Sequence, residues 1–167
     1  RSLSVAPVSF TLCVYVRAMR GKMNSELNKF GSALQSEDDV GKVIRAHIFI
    51  ESAVATFLDV ALYDSSHLNC ASLGYSQKMH VALACGLRPD LKGPLRFIGT
   101  LRNGFAHKLN QQIDKQSINN WYKEFSPELK ESMREVLRAS NVSWVAEGTK
   151  WQQPTPQDKF VSISISS

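Results

Sequence analysis

With 167 residues, 43% of them apolar and 21% charged, the chain has the make-up of one globular domain large enough to bury its own core. Lys and Arg number 20 against 15 Asp and Glu, a net charge of +5, and no apolar run reaches the roughly 18–20 residues that a membrane-spanning helix needs. Cys13, Cys70 and Cys85 are odd in number and share no short spacing, which argues against a disulfide framework or a zinc site and points to a reducing cytoplasm.

The charge is uneven. Residues 1–35 carry Arg1, Arg17, Arg20, Lys22 and Lys29 against Glu26, and residues 78–108 carry Lys78, Arg88, Lys92, Arg96, Arg102 and Lys108 against Asp90. The second stretch suits an anionic partner such as RNA. It also describes a solvated helix face, the commoner origin of a charge run.

In chain order, Phe10, Leu12, Val14 and Val16 alternate with Thr11, Cys13 and Tyr15, the period of a strand. The chain opens on Arg1, so a native start at Met19 or Met23 is conceivable, with residues 1–22 an extension without a part in function. Residues 23–35 predict a first helix through Met23, Leu27, Phe30 and Leu34. Glu37, Asp38 and Asp39 then supply an N-cap and a negative first turn for a long helix over about 40–63. Its seam runs Ile44, Ile48, Glu51, Ala55, Leu58 and Leu62, and a flanking row of Val43, His47, Ile50, Val54, Phe57 and Ala61 widens the buried face.

A further helix fits 75–86 and stops at Gly86. Pro94 is placed to begin the next, which carries Leu95, Ile98, Leu101 and Phe105. A short helix follows over 115–125, and Ser126-Pro127 opens a last one to about Ser140. Beyond residue 141, Pro154-Thr155-Pro156 reads as a linker, and Val161, Ile163 and Ile165 alternate as a second strand. Lone strands are unstable, so the two terminal ones are expected to pair within a subunit or across a dimer. The expected fold is therefore all-α, an up-down bundle of five or six helices over residues 23–140, with strand-like tails at 1–22 and 141–167.

Two polar residues interrupt the apolar face of the long helix, His47 and Glu51, one turn apart. A carboxylate there must be paired and hydrogen-bonded. As a structural group Glu51 would accept from a neighbouring helix's Arg; as a functional one it would orient active-site residues. A lone histidine such as His47 is more often structural. Arg102, four after Ile98, falls on or beside the apolar row and is expected to point inward or into an interface. Arg102 and His107 stand about 140° apart on a regular helix, whereas Asn103 and His107 share a face. Asn103-Gly104 is turn-prone, so a break there, or two copies meeting across a dimer axis, would let the Arg and His converge.

The run Arg102-Asn103-Gly104-Phe105-Ala106-His107 resembles the Arg-x4–6-His signature of the HEPN superfamily of helical proteins. Residues 39–62, 75–90 and 95–109 also resemble, in their order, the segments of the mannitol operon repressor family, and the likeness covers about residues 24–140. That resemblance implies a helical homodimer. In its catalytic form it implies metal-independent RNA cleavage without a cofactor, in a toxin–antitoxin or defence setting. His107 would then serve as general base or acid, Arg102 would stabilise the phosphate charge, Asn103 would orient it, and Glu51 with His47 would support them. Gly104 departs from the stereotyped signature. In its repressor-like form the resemblance implies a non-catalytic regulatory protein with a protein partner, such as an antitoxin or regulator, and there the Arg and His form an internal hydrogen-bonding pair.

Other chemistries find little footing. The sequence has no G-x-G-x-x-G, P-loop, G-x-S-x-G or metal-ligand spacing, and no helix-turn-helix with a basic recognition helix, so direct DNA binding is not expected. His67 and His80 are isolated. Trp121, Trp144 and Trp151 form no spaced platform and read as core or interface anchors.

Overall fold

The computed structural model describes residues 30, 31, 33, 34, 36–69, 72–107, 111–139 and 155–166. Among these there is no strand. Helical residues at 30, 31, 33 and 34 precede six helices: α1 (Asp39–Ala61), α2 (Tyr75–Ala84), α3 (Lys92–Ala106), α4 (Lys115–Lys123), α5 (Pro127–Ala139) and α6 (Pro156–Ser166). Short 3-10 turns lie at Ser65–His67 and Pro89–Leu91.

The helix ends follow from local chemistry. Asp38 caps α1 by accepting from Gly41 N at 2.6 Å, and Asp114 caps α4 by accepting from Ser117 N at 2.7 Å. Ser126 Oγ accepts from Leu129 N at the start of α5 and donates to Asp90 Oδ2 at 2.9 Å, tying that cap to the turn before α3. After α2, Gly86 takes φ +100, and Leu87 N donates to Ala82 O while Gly86 N donates to Leu83 O. This is a Schellman ending, which a residue without Cβ enters at least cost.

The core gathers Val43, Ala46, Ile50, Val54 and Leu58 of α1 against Ile98, Leu101 and Phe105 of α3. Met79 and Ala82 join from α2, and Trp121, fully buried on α4, donates from Nε1 to the Pro94 carbonyl at 3.1 Å. Burying Trp121 removes an aromatic surface of ~150–250 Å² from water, and the indole donor finds its acceptor, so neither the apolar nor the polar part of the side chain opposes burial.

Four expectations are corrected. First, the residues expected as a C-terminal strand form α6, with Pro156 in its first position and Lys159 N donating to Thr155 O. Phe160 and Ile163, three apart, both lie at 0% exposure in the core, and Phe160 packs on Trp121 with ring centroids 5.3 Å apart. The alternation of three apolar residues is too short to distinguish period 2 from 3.6, and burial against Trp121 decides for the helix. This segment belongs to the bundle rather than to a tail outside it, and Gln157 Nε2 donates to Asp39 Oδ2 on α1. The expected N-terminal strand lies outside the described residues, as does most of the linker. Second, α1 is rotated from the expected seam. The row of Val43, His47, Ile50 and Val54 is buried, while Ile48 is 59% exposed. Both rows are apolar, so periodicity left the rotation about the helix axis undetermined.

Third, α3 runs unbroken to Ala106, with no interruption at Asn103-Gly104 and with Pro94 as its third residue rather than its first. Fourth, of the two directions expected for Arg102 the inward one is excluded: the residue is exposed on this chain and does not point into the core. Its long stem lets the guanidinium reach water from the edge of an apolar row.

Candidate functional site

Three helices wall a solvent-open cleft of about 630 Å³. From α1 come His47 and Glu51, from α2 Tyr75, and from α3 Arg96, Arg102 and Asn103. Each wall has a structural reason. Gly99 on α3 lets the Tyr75 ring lie flush against the helix, since a Cβ there would stand 2.9 Å from Tyr75 Cε1. The phenol donates to the Leu95 carbonyl at 2.8 Å, which pins α2 to α3, and burial pushes its pKa up.

His47 is 7% exposed, and its ring meets Tyr75 with centroids 4.4 Å apart. Its Nδ1 lies 3.7 Å from Glu51 Oε2. Burial lowers the His47 pKa below its ordinary 6.5; Glu51 pulls it back up, while the charges of Arg102 and Lys78 lower it further. The imidazole is therefore neutral at pH 7. Glu51 is half-buried and accepts from Lys78 Nζ at 2.6 Å. The partner of this carboxylate is thus a lysine of α2, not the arginine the sequence suggested.

Arg102 Nη1 donates to Asn103 Oδ1 at 3.0 Å, and both residues are exposed. Among the described residues no carboxylate stands within ion-pair distance of Arg102. His107 caps the C-terminus of α3, exposed to solvent, and does not line the cleft. The sequence-derived residues thus divide. His47, Glu51, Arg102 and Asn103 meet in one place, and His107 stands apart at the end of the helix. An unbroken α3 keeps the Arg and His directions about 140° apart, so one protomer does not aim both at a single phosphodiester. Comparisons with protein-family models, curated proteins and solved structures find no match.

Much of the basic stretch is internally balanced. Lys78 pairs with Glu51, Arg88 with Asp90 at 2.7 Å, and Arg96 stands 4.0 Å from Glu124. Sequence reasoning missed Tyr75 and Lys78. In the sequence Lys78 reads only as charge, and the signal for Tyr75 is Gly99, a residue small enough to receive a ring. His67 and His80 are exposed. No group of three or more His, Cys, Asp or Glu is placed to hold a metal, and no helix is long and apolar enough to cross a membrane, among the described residues.

Proposed function

We propose that this chain is a metal-independent endoribonuclease of the HEPN type, working in the cytoplasm as a homodimer. What carries the reading is the exposure of Arg102, Asn103 and His107 on α3 while Leu101 and Phe105 among them are buried. The polar residues of the run are open to a substrate, and the apolar ones hold their helix in place.

In the reaction, the ribose 2′-oxygen bonds to phosphorus as its proton passes to an imidazole. The bond from phosphorus to the 5′-oxygen breaks, and that oxygen takes a proton. His107 performs one of these transfers, Arg102 neutralises charge on the phosphate oxygens through its planar fork of donors, and Asn103 orients the guanidinium. Because Arg102 and His107 diverge within one helix, a second copy related by a two-fold axis near the end of α3 supplies the imidazole that meets each guanidinium. Glu51 and His47 support the Arg102 side of the site.

Purified protein incubated with single-stranded and structured RNA in EDTA is expected to leave 2′,3′-cyclic phosphate ends. His107→Ala is expected to slow cleavage by about 10²–10⁴-fold, the usual contribution of a proton-transfer group. No cleavage, or cleavage by His107→Ala at the wild-type rate, ends the proposal.

A second reading, a non-catalytic regulatory protein resembling the mannitol operon repressor, draws on α1. The apolar row that the core leaves aside has Ile44 half-buried and Ile48 59% exposed, a stripe suited to a protein partner's helix. Recovery of a stoichiometric protein partner together with absence of ribonuclease activity favours this reading.

A further inference from the structure

On the opposite side of α1 from His47 and Glu51 lies an apolar groove of about 100 Å³. Phe49, Ala53 and Phe57 of α1 form one side, Leu91 and Pro94 the other, and the buried Trp121 the floor. All ten lining residues are apolar. Ala53 is exposed, and Phe49 and Phe57 are half-buried. The indole N–H is spent on the Pro94 carbonyl, so the lining side chains offer water none of the two to four partners it needs. The volume also falls short of the roughly 300–1,000 Å³ of small-ligand sites. Single apolar side chains are what the groove fits.

The chain itself arrives at the edge of this groove. Phe30 stacks on Phe49 with ring centroids 4.1 Å apart and planes 13° apart. Leu34, one turn on, is fully buried, and Glu37 N donates to Leu34 O just before Asp38 caps α1. A tight turn therefore joins the helical residues at 30–34 to α1, and the contact of Phe30 with Phe49, well inside α1, makes the two antiparallel. In such a pair each step back along one helix is a step forward along the other. Leu27 then falls level with Ser52 and Ala53, and Met23 with Thr56 and Phe57. Ala53 and Phe57 are the two of these four that line the groove. Met23, Leu27, Phe30 and Leu34 recur in steps of four, three and four, whereas Asn24, Ser25, Glu26, Asn28 and Lys29 are polar. That is the pattern of a helix with one apolar face.

We propose that residues 23–29, which lie outside the described residues, continue the helix of Phe30 and lay Leu27 and Met23 into this groove as an intrachain strap. The occupant is the chain's own segment rather than a partner, because Phe30 tethers that segment at the groove and gives it an effective concentration that a free partner does not match. The α1 face left open to a partner is then the one that carries Ile48, 59% exposed and about 100° round from Phe49. The strap is independent of RNA cleavage and of the cleft on the other side of α1.

The test is a cysteine pair in the full chain, Leu27→Cys with Ala53→Cys, on a background of Cys13→Ser, Cys70→Ser and Cys85→Ser. A disulfide forms only where the two Cα atoms come within about 7 Å. Mild oxidation is expected to give an intrachain bridge, read as a faster-migrating monomer on a non-reducing gel, whereas Asn28→Cys with Ala53→Cys is expected to give none. A disulfide-linked dimer assigns the groove to a second copy and overturns the strap, as does bridging no better than in the Asn28 control. If the cysteine background loses its helical circular dichroism, single substitutions in the wild-type chain decide. Leu27→Asp is expected to lower the folding equilibrium constant by about thirtyfold or more, the size of a buried-leucine deletion, and to raise the fluorescence of an added apolar dye such as anilinonaphthalene sulfonate. Asn28→Asp is expected to leave both readings near wild type. A Leu27→Asp chain with the wild-type urea midpoint and dye fluorescence overturns the proposal.

Discussion

Lys78 reaches from α2 to place its Nζ 2.6 Å from Glu51 Oε1 on α1, with 12% and 28% of the two side chains exposed. The pair joins the two helices, and Glu51 lines the cleft. Its value should lie between that of an exposed pair and that of a fully buried one. Lys78→Met leaves a half-buried carboxylate without its cation and is expected to cost about 1–3 kcal/mol. The comparison is Arg45→Met, which removes the partner of Glu37 from a pair whose arginine is 54% exposed; that change is expected to cost under about 1 kcal/mol. Urea unfolding of both variants checks the order. The double variant Lys78→Met with Glu51→Gln should recover part of the loss, because no uncompensated charge remains.

The neutral His47 makes stability depend on pH in a definite direction. Burial holds its folded-state pKa below the unfolded value of 6.5. Between the two values the unfolded chain binds the proton and the folded chain does not, so stability falls as pH drops below about 6.5 and levels off once the folded-state value is passed. Above pH 7 the term is fully present and constant. Denaturant midpoints measured from pH 7.5 to 5 should show this decline in the wild type and a flatter profile in His47→Gln. The carboxyls of Asp64, Asp90 and Asp114 are held below their ordinary 3.8, so their contributions are lost only in a lower window. An unchanged slope in His47→Gln would assign the dependence to another group.

Phe160 carries the largest departure of the fold from what its sequence suggested. It is fully buried and packs at a tilt against Trp121, which packs in turn against Phe125 at 6.1 Å. If α6 is part of the core, Phe160→Ala should cost about 3–5 kcal/mol, as other buried aromatic truncations do. A tail outside the bundle would lose under about 0.5 kcal/mol. Thermal or urea unfolding of this one variant separates the two.

What the sequence made legible, and what it hid, has a common cause. The starts of α1 and α5 were readable because Asp38 and Ser126 each satisfy backbone N–H groups within three residues, so the signal is local. The end of α2 was readable because Gly86 takes a positive φ there. The direction of Arg102, the burial of His47 rather than Ile48 and the helical state of α6 depend on what lies across the core, and residues of other helices, such as Tyr75 beside His47 and Trp121 beside Phe160, decide them. The cleft was half visible in the same sense. His47, Glu51, Arg102 and Asn103 drew attention as polar residues in apolar surroundings, but nothing local to the Tyr75 or Lys78 segment announced that it would form the third wall.

Gly99 and Gly104 sit five residues apart in α3 and separate helix propensity from packing. Replacing a helix-interior glycine by alanine gains about 0.5–1 kcal/mol when nothing obstructs the methyl group. At Gly104 the nearest atom to a new Cβ is Gln111 Oε1 at 3.5 Å, an ordinary contact, so Gly104→Ala should be stabilising by about that amount. At Gly99 the methyl would meet Tyr75 at 2.9 and 3.0 Å. The ring cannot retreat cheaply, because its hydroxyl is bonded to Leu95 O and its other side lies against His47. Gly99→Ala should therefore be destabilising by about 1–3 kcal/mol despite the better propensity, and it should move the His47 imidazole signals in NMR while Gly104→Ala leaves them unchanged. Stabilisation by both substitutions would mean that Tyr75 does not pack against α3, and the cleft would lose the wall that holds His47 in place.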